Sequence, residues 1–126
     1  MIVGIGTDLC DIRRIEALLD RHGDRFRARV FTEGERATCD ARSASAECYA
    51  KRFAAKEAVA KAIAGRGTGA LPWHSVEVVN DPSGRPRARL SGAAAERLAG
   101  LSDDATVHLS LSDEPPYAQA FVIVEA

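Results

Sequence analysis

Long apolar runs are missing from this chain. No stretch is apolar enough to span a bilayer, and Met1-Ile2-Val3-Gly4 lacks the basic start and extended apolar core of a signal peptide. A cytoplasmic protein with no membrane attachment is therefore expected. An excess of one charge is missing too: 17 Lys and Arg stand against 18 Asp and Glu, a net charge of -1 that argues against wholesale attraction to nucleic acid or a membrane surface. Cysteines are few. Cys10, Cys39 and Cys48 are odd in number and lack the close paired spacing of a zinc or redox site, so reduced, partly buried thiols are expected. With 126 residues the chain can bury a core but has no room for a second module, which predicts a single domain over residues 1–126.

What is present reads as an α+β fold, a mostly antiparallel sheet packed against helices. Ile2-Val3-Gly4-Ile5 is a short apolar strand. Asp11 to Arg29 reads as a helix with N-cap oxygens offered by Thr7-Asp8 and a bend or break at Gly23. At 100° per residue Ile12, Ile15, Leu19, Phe26 and Val30 share one side, while Arg14, Leu18, Arg21 and Arg25 share another. A small helix is predicted from Thr32 to about Arg42. After Ser43-Ala44-Ser45, a long one including Ala50 to Ala64 has no Gly or Pro and ends near Gly65. Ser75 to Val79 and Arg87 to Leu90 form a hairpin around Asp81-Pro82-Ser83-Gly84, and Gly92 to Leu98 a short helix. Two last strands flank a turn at Asp113 to Pro116, with Val107, Leu109 and Leu111 on one face and His108, Ser110 and Ser112 on the other.

The chemistry concentrates in two segments. Asp8 follows the first strand, and Glu57 lies on the long helix with Lys61 four residues on and Lys56 beside it. A strand-end carboxylate meeting a mid-helix carboxylate suits magnesium, which takes one or two carboxylates and completes its shell with water and substrate phosphates. Gly4-Ile5-Gly6 lacks the third glycine of a dinucleotide fingerprint, so these glycines are read as permitting close packing. Gly67-Thr68-Gly69 can offer backbone N–H groups to an anion, although its order is not that of a P-loop. His108, Ser110, Ser112 and Asp113 contain the residue types of a hydrolase triad, but the three alternate residues stand side by side on one strand face without a nucleophile elbow.

Gly4-Ile5-Gly6-Thr7-Asp8-Leu9 and Arg52-Phe53-Ala54-Ala55-Lys56-Glu57-Ala58, in this order and at this separation, resemble the holo-acyl-carrier-protein synthase family of short 4′-phosphopantetheinyl transferases. The resemblance extends through Phe31-Thr32-Glu33-Gly34-Glu35, Gly67-Thr68-Gly69, Gly84-Arg85-Pro86 and His108-Leu109-Ser110-Leu111-Ser112 to the strand Tyr117 to Glu125. It implies magnesium-dependent transfer of the 4′-phosphopantetheine group of coenzyme A to a serine of acyl carrier protein, a step that serves fatty acid biosynthesis. On that reading Asp8 and Glu57 hold the metal, Lys56 and Lys61 neutralise phosphate, and Glu57 is the best candidate base. Gly67, Thr68, Gly69 and Ser112 belong to the coenzyme site. Asp113 stands where the family commonly places a histidine near phosphate, and a carboxylate there would repel it. Arg14, Leu18, Arg21 and Arg25 become a docking row for an acidic carrier protein. The family further implies a homotrimer with the coenzyme cleft between subunits.

Overall fold

The computed structural model describes residues 1–64 and 70–126. A single helix, α4 (Ser45–Ala62), is its centre, with Tyr49, Ala50, Phe53, Ala54, Ala55, Ala58 and Val59 all buried. Apolar residues lie all round this helix rather than along one stripe, the pattern of a helix covered on several sides. It begins at Ser45, the last residue of the expected connection, with Cys48 and Tyr49 drawn into the core.

Strands β1 (Ile2–Asp11), β4 (Thr106–Glu114) and β5 (Tyr117–Glu125) form one antiparallel sheet in the order β1-β5-β4, and β2 (Val76–Asn80) pairs with β3 (Pro86–Leu90) in a second. The α+β class expected from the sequence is the one found. Alternation decides which side chains meet α4: Ala118, Ala120, Val122 and Val124 are buried, whereas Tyr117 and Phe121 face away. Strand β1 lies almost on the helix backbone. A Cβ on Gly6 would stand 2.1 Å from the Ala58 carbonyl oxygen, and one on Gly4 would stand 2.2 Å from that of Ala62. Close packing is therefore what these two glycines permit.

The predicted helix from Asp11 to Arg29 is two helices, α1 (Ile12–His22) and α2 (Asp24–Val30), broken at Gly23, whose φ of 50° disfavours other residues. Its N-cap is Asp11, not Thr7-Asp8, because β1 continues in register with β5 as far as the Asp11–Tyr117 pair. Ile12, Ile15 and Val30 are buried as the helical pattern required. Helix α3 (Glu33–Asp40) is opened by a reciprocal cap in which Thr32 Oγ1 accepts from the Glu35 amide and Glu35 Oε1 accepts from the Thr32 amide. Helix α5 (Gly92–Leu101) runs three residues past the predicted end.

Two expectations need correction. Cys39 and Cys48 are joined in a disulfide with their Cα atoms 5.4 Å apart, tying α3 to α4, and only Cys10 is a free, buried thiol. Spacing along the chain concealed this, since the chain reverses between the two helices. The last hairpin turns at Pro115-Pro116, joined by a cis peptide bond, and Asp113 belongs to β4 opposite Ala118. Among the described residues no helix is long and apolar enough to cross a membrane.

Candidate active site

The glycines of β1 deliver Asp8 to α4. Gly4 and Gly6 pack on Ala62 and Ala58, and Asp8 follows on the same face of the strand. Its Oδ1 lies 3.1 Å from Lys61 Nζ, which also donates to the Thr7 carbonyl at 2.9 Å. Lys61 is exposed, so this pair is accessible to an anion from solvent. Lys61 reaches the strand rather than pairing with Glu57 along the helix.

Glu57 lies one turn before Lys61 on the same flank of α4 and is half-buried, with no hydrogen bond or ion pair among the described residues. Glu57, without an internal partner, and Asp8, three residues inside the end of β1, together offer an all-oxygen hard donor set. Among the described residues no cluster of three or more potential ligands occurs. Two carboxylates without a full protein cage fit magnesium, which keeps waters and recruits phosphate oxygens.

Lys56 departs from its expected role. It is buried and its ammonium faces inward, 2.8 Å from Glu35 Oε1 and 3.0 Å from the Trp73 carbonyl, with a further bond to the Val76 carbonyl. Those three acceptors use all three of its N–H donors. Burial holds its pKa below the usual lysine range, against the opposing pull of Glu35. Glu35 is fully buried and also accepts from the Val78 amide at 2.8 Å. This network fixes α3, α4 and β2 to one another and leaves Lys56 nothing to offer a phosphate. The Thr32-x-x-Glu35 spacing was the signal available for the cap, whereas the partner on α4 lies too far along the chain to be read from sequence.

Ser112 and Asp113 are neighbours on β4, so their side chains leave opposite faces of the sheet. Asp113 Oδ1 is 3.2 Å from Lys51 Nζ, both groups being half-buried, which offsets the charge expected to repel phosphate. Lys51 lies about 9 Å along the axis of α4 before Glu57. His108 bonds to Glu125 Oε1 at 3.1 Å, a carboxylate rather than a hydroxyl or carbonyl, and Ser110 stays on the same outward face without joining it. Gly67, Thr68 and Gly69 lie outside the described residues.

The arginine row survives the break at Gly23. Arg14, Ala17, Leu18 and Arg21 line one shallow cleft, and Leu18, His22, Arg25, Phe26 and Arg29 line the next, so Leu18 joins the two. The guanidinium of Arg14 also lies 5.4 Å from the Phe53 ring centroid, and Phe53 stacks on Trp73 at 5.2 Å. Beyond Trp73 a cleft of about 250 Å³ opens against Glu57, walled by Ala60, Leu71, Pro72 and Val76. Sequence reading missed Trp73; a lone tryptophan after a glycine-rich segment was its one signal.

Comparison with known proteins identifies what the whole chain is similar to. The family model described as the 4′-phosphopantetheinyl transferase superfamily matches residues 4–121. The holo-[acyl-carrier-protein] synthase of Methylobacterium radiotolerans is 62% identical over 129 aligned residues, covering all of this chain and 95% of that protein. Among solved structures, the holo-[acyl-carrier-protein] synthase of Neisseria meningitidis superposes with a TM-score of 0.85 at 35% identity, covering both chains completely. An ACPS–CoA complex from Chronobacterium ammoniagenes superposes with a TM-score of 0.82 at 32% identity, covering 96% of this chain and 95% of that one.

Proposed function

This chain belongs to the 4′-phosphopantetheinyl transferase superfamily, and from that membership we infer its reaction. It is a transferase that moves the 4′-phosphopantetheine group of coenzyme A to a serine of acyl carrier protein and releases adenosine 3′,5′-bisphosphate. The observation that carries the assignment to particular residues is the pairing of Lys61 with Asp8 where β1 crosses α4, with the unpartnered Glu57 one helical turn from Lys61.

The serine oxygen attacks the β-phosphorus of coenzyme A, and the bond from that phosphorus to the bridging pyrophosphate oxygen breaks, sending the electron pair to the departing nucleotide. Asp8 and Glu57 would hold a magnesium ion, which would supply positive charge to the pyrophosphate oxygens. Lys61, hung between Asp8 and the Thr7 carbonyl, places its ammonium where it can donate to an oxygen of the leaving phosphate. Glu57 takes the serine proton. Lys56 contributes indirectly, by pinning Trp73 and Val76 beside Glu57.

The carrier docks on the face of Arg14, Arg21 and Arg25. Exposed guanidinium groups draw an acidic partner and Leu18 adds apolar contact between the two clefts. Assembly follows from the outward face of the three-stranded sheet, where Ile5, Leu9, Tyr117 and Phe121 are 61, 62, 44 and 40% exposed. Large apolar side chains diagonal to one another on this face of the paired strands support association of the sheet with further copies, as a homotrimer would require. The protein acts in the cytoplasm on the carrier of fatty acid biosynthesis.

Incubation with coenzyme A, magnesium and apo carrier protein, followed by intact-mass spectrometry, tests the reading. A carrier bearing phosphopantetheine on its serine supports it; an unchanged carrier refutes it.

A further inference from the structure

The disulfide between Cys39 and Cys48 fits poorly with the cytoplasmic setting inferred above, since disulfides are rare there and those that form are mostly transient. Its surroundings suit a bond that opens and closes. Both cysteines are buried at one end of the seam between α3 and α4. Glu35 and Cys39 are four residues apart on α3, while Cys48, Arg52 and Lys56 follow one another at four-residue spacing on α4. The seam thus has a covalent rung, Cys39 to Cys48, and an ionic rung, Glu35 to Lys56, with Arg52 between them along α4.

Arg52 has no role in the reaction as described. It is 2% exposed, yet no carboxylate among the described residues pairs with it. Its Nη1 donates to Cys48 Sγ at 3.2 Å, and its buried Nε has no acceptor among the described residues. Glu35 acts on Arg52 only through space, its own oxygens being taken by Lys56 and by the amides of Thr32 and Val78. A disulfide sulfur is a weak, uncharged acceptor, so the oxidised protein keeps a buried guanidinium without an anion. Opening the bond would supply one.

We propose that Cys39 and Cys48 form a reversible redox site for a dithiol reductant, with Arg52 holding Cys48 as a thiolate when the bond is open. A thiolate of the reductant attacks Cys39 Sγ, the bond to Cys48 breaks, and its electron pair stays on Cys48 Sγ beside the guanidinium. The reductant's second sulfur, once deprotonated, attacks the mixed disulfide, closes a ring through its own S–S bond and expels Cys39 as a thiolate that takes up a proton. The protein gains two electrons and the dithiol loses two. Of the dithiol's two protons, one ends on Cys39 and the other in solvent. Arg52 sets the direction of attack, because the sulfur whose thiolate is stabilised leaves faster. Residues 41–44, which join α3 to α4, are exposed, so opening of this short connection admits the reductant without unfolding of the sheet.

The test equilibrates the full chain with mixtures of reduced and oxidised dithiothreitol, quenches in acid, alkylates the unfolded chain and counts labels by intact mass. Arg52→Met removes the charge at similar length, and Arg52→Lys retains it. The parent should be half reduced at a ratio of reduced to oxidised dithiothreitol at least about tenfold lower than Arg52→Met requires, the effect of a factor of ten in thiolate stabilisation. Arg52→Lys should recover part of that difference. A second measurement needs no variant: the reduced parent at neutral pH should show the far-ultraviolet absorbance of one thiolate per chain, since Cys10 is buried and stays protonated there. Equal midpoints for parent and Arg52→Met, or a reduced parent lacking the thiolate signal, overturn the proposal. So does protein purified without reductant that carries three free thiols. Neither readout uses transfer, so failure of the redox site and failure of the transferase reading are told apart.

Discussion

Lys61 Nζ is held 3.1 Å from Asp8 Oδ1, which joins a lysine suited to phosphate with a carboxylate suited to magnesium. A cation arriving at Asp8 would compete with Lys61 for Oδ1, which would couple metal binding to release of the ammonium. On that reading the two groups would not contribute independently. A double-mutant cycle on them should be strongly non-additive.

Asp8→Ala and Glu57→Ala should each lower the transfer rate by at least about a hundredfold, equivalent to roughly 2.7 kcal/mol in the barrier. Thermal stability should move little, since the Asp8–Lys61 pair is largely exposed on the lysine side and such pairs contribute about 0 to 1 kcal/mol. Chelation should inactivate the parent in the same way. Full activity of Glu57→Ala with unchanged magnesium dependence would dismiss the site.

Charge reversal at Arg14 or Arg21 should raise the KM for carrier protein with coenzyme A affinity nearly unchanged. Added salt should mimic it, because exposed charges are screened over about 8 to 10 Å at ordinary ionic strength. Kinetics with each substrate varied in turn decide the matter: equal weakening toward both would move these arginines into the coenzyme cleft.

Gly6→Ala tests the packing that carries Asp8 to α4. The added Cβ would meet the Ala58 carbonyl at 2.1 Å, and because that oxygen is backbone, relief requires moving β1 off the helix. A loss of at least about 3 kcal/mol in denaturant unfolding is expected, at or beyond the upper range for overpacking. A stable, fully active Gly6→Ala would mean the strand and helix can separate freely.

The thiols are a further check. Unreduced protein should show one titratable thiol after unfolding and three after reduction, since Cys39 and Cys48 are joined. Burial raises the Cys10 pKa to about 11, so at pH 8 only about one in a thousand is thiolate, and alkylation should be slow until the chain unfolds. By linkage this group adds stability that is whole below about pH 9 and is lost as pH rises toward 11. Rapid alkylation of folded protein at neutral pH would contradict its burial.

Much of the fold was legible because its cues are local. Alternation placed Val107, Leu109 and Leu111 on the core side of β4, helical periodicity placed Ile12 and Ile15 in the core, and Gly23 marked the break between α1 and α2. The close approach at Gly4 and Gly6 was legible for the same reason. What failed depended on contacts distant in sequence. Lys56 read as a surface cation because nothing near it in the chain reveals Glu35, 21 positions earlier, as its buried partner. Asp113 read as a turn residue because the two prolines hold the turn two positions later, and its pairing with Lys51 crosses 62 positions. Cys39 and Cys48 became neighbours only when α3 and α4 folded against each other.

Asp113 carries the last prediction. As a bare carboxylate near phosphate it would oppose coenzyme binding, but Lys51 stands 3.2 Å away and offsets that charge while having its own reach limited by the pair. Replacing Asp113 by His removes the carboxylate, frees Lys51 and supplies a donor. Coenzyme A should bind more tightly by roughly 1 to 3 kcal/mol, about five- to more than a hundredfold, the range of a charge-assisted hydrogen bond. Dephospho-coenzyme A, which lacks the 3′-phosphate, should gain much less. The double variant Lys51→Met with Asp113→His separates the two sources: retention of most of the gain assigns it to the new imidazole, and loss of most of it assigns it to the released lysine. Calorimetry with both ligands on the three proteins reads the answer. Equal gains for the two ligands, or none for either, would leave the Lys51–Asp113 pair as a strand-to-helix tie with no part in coenzyme binding.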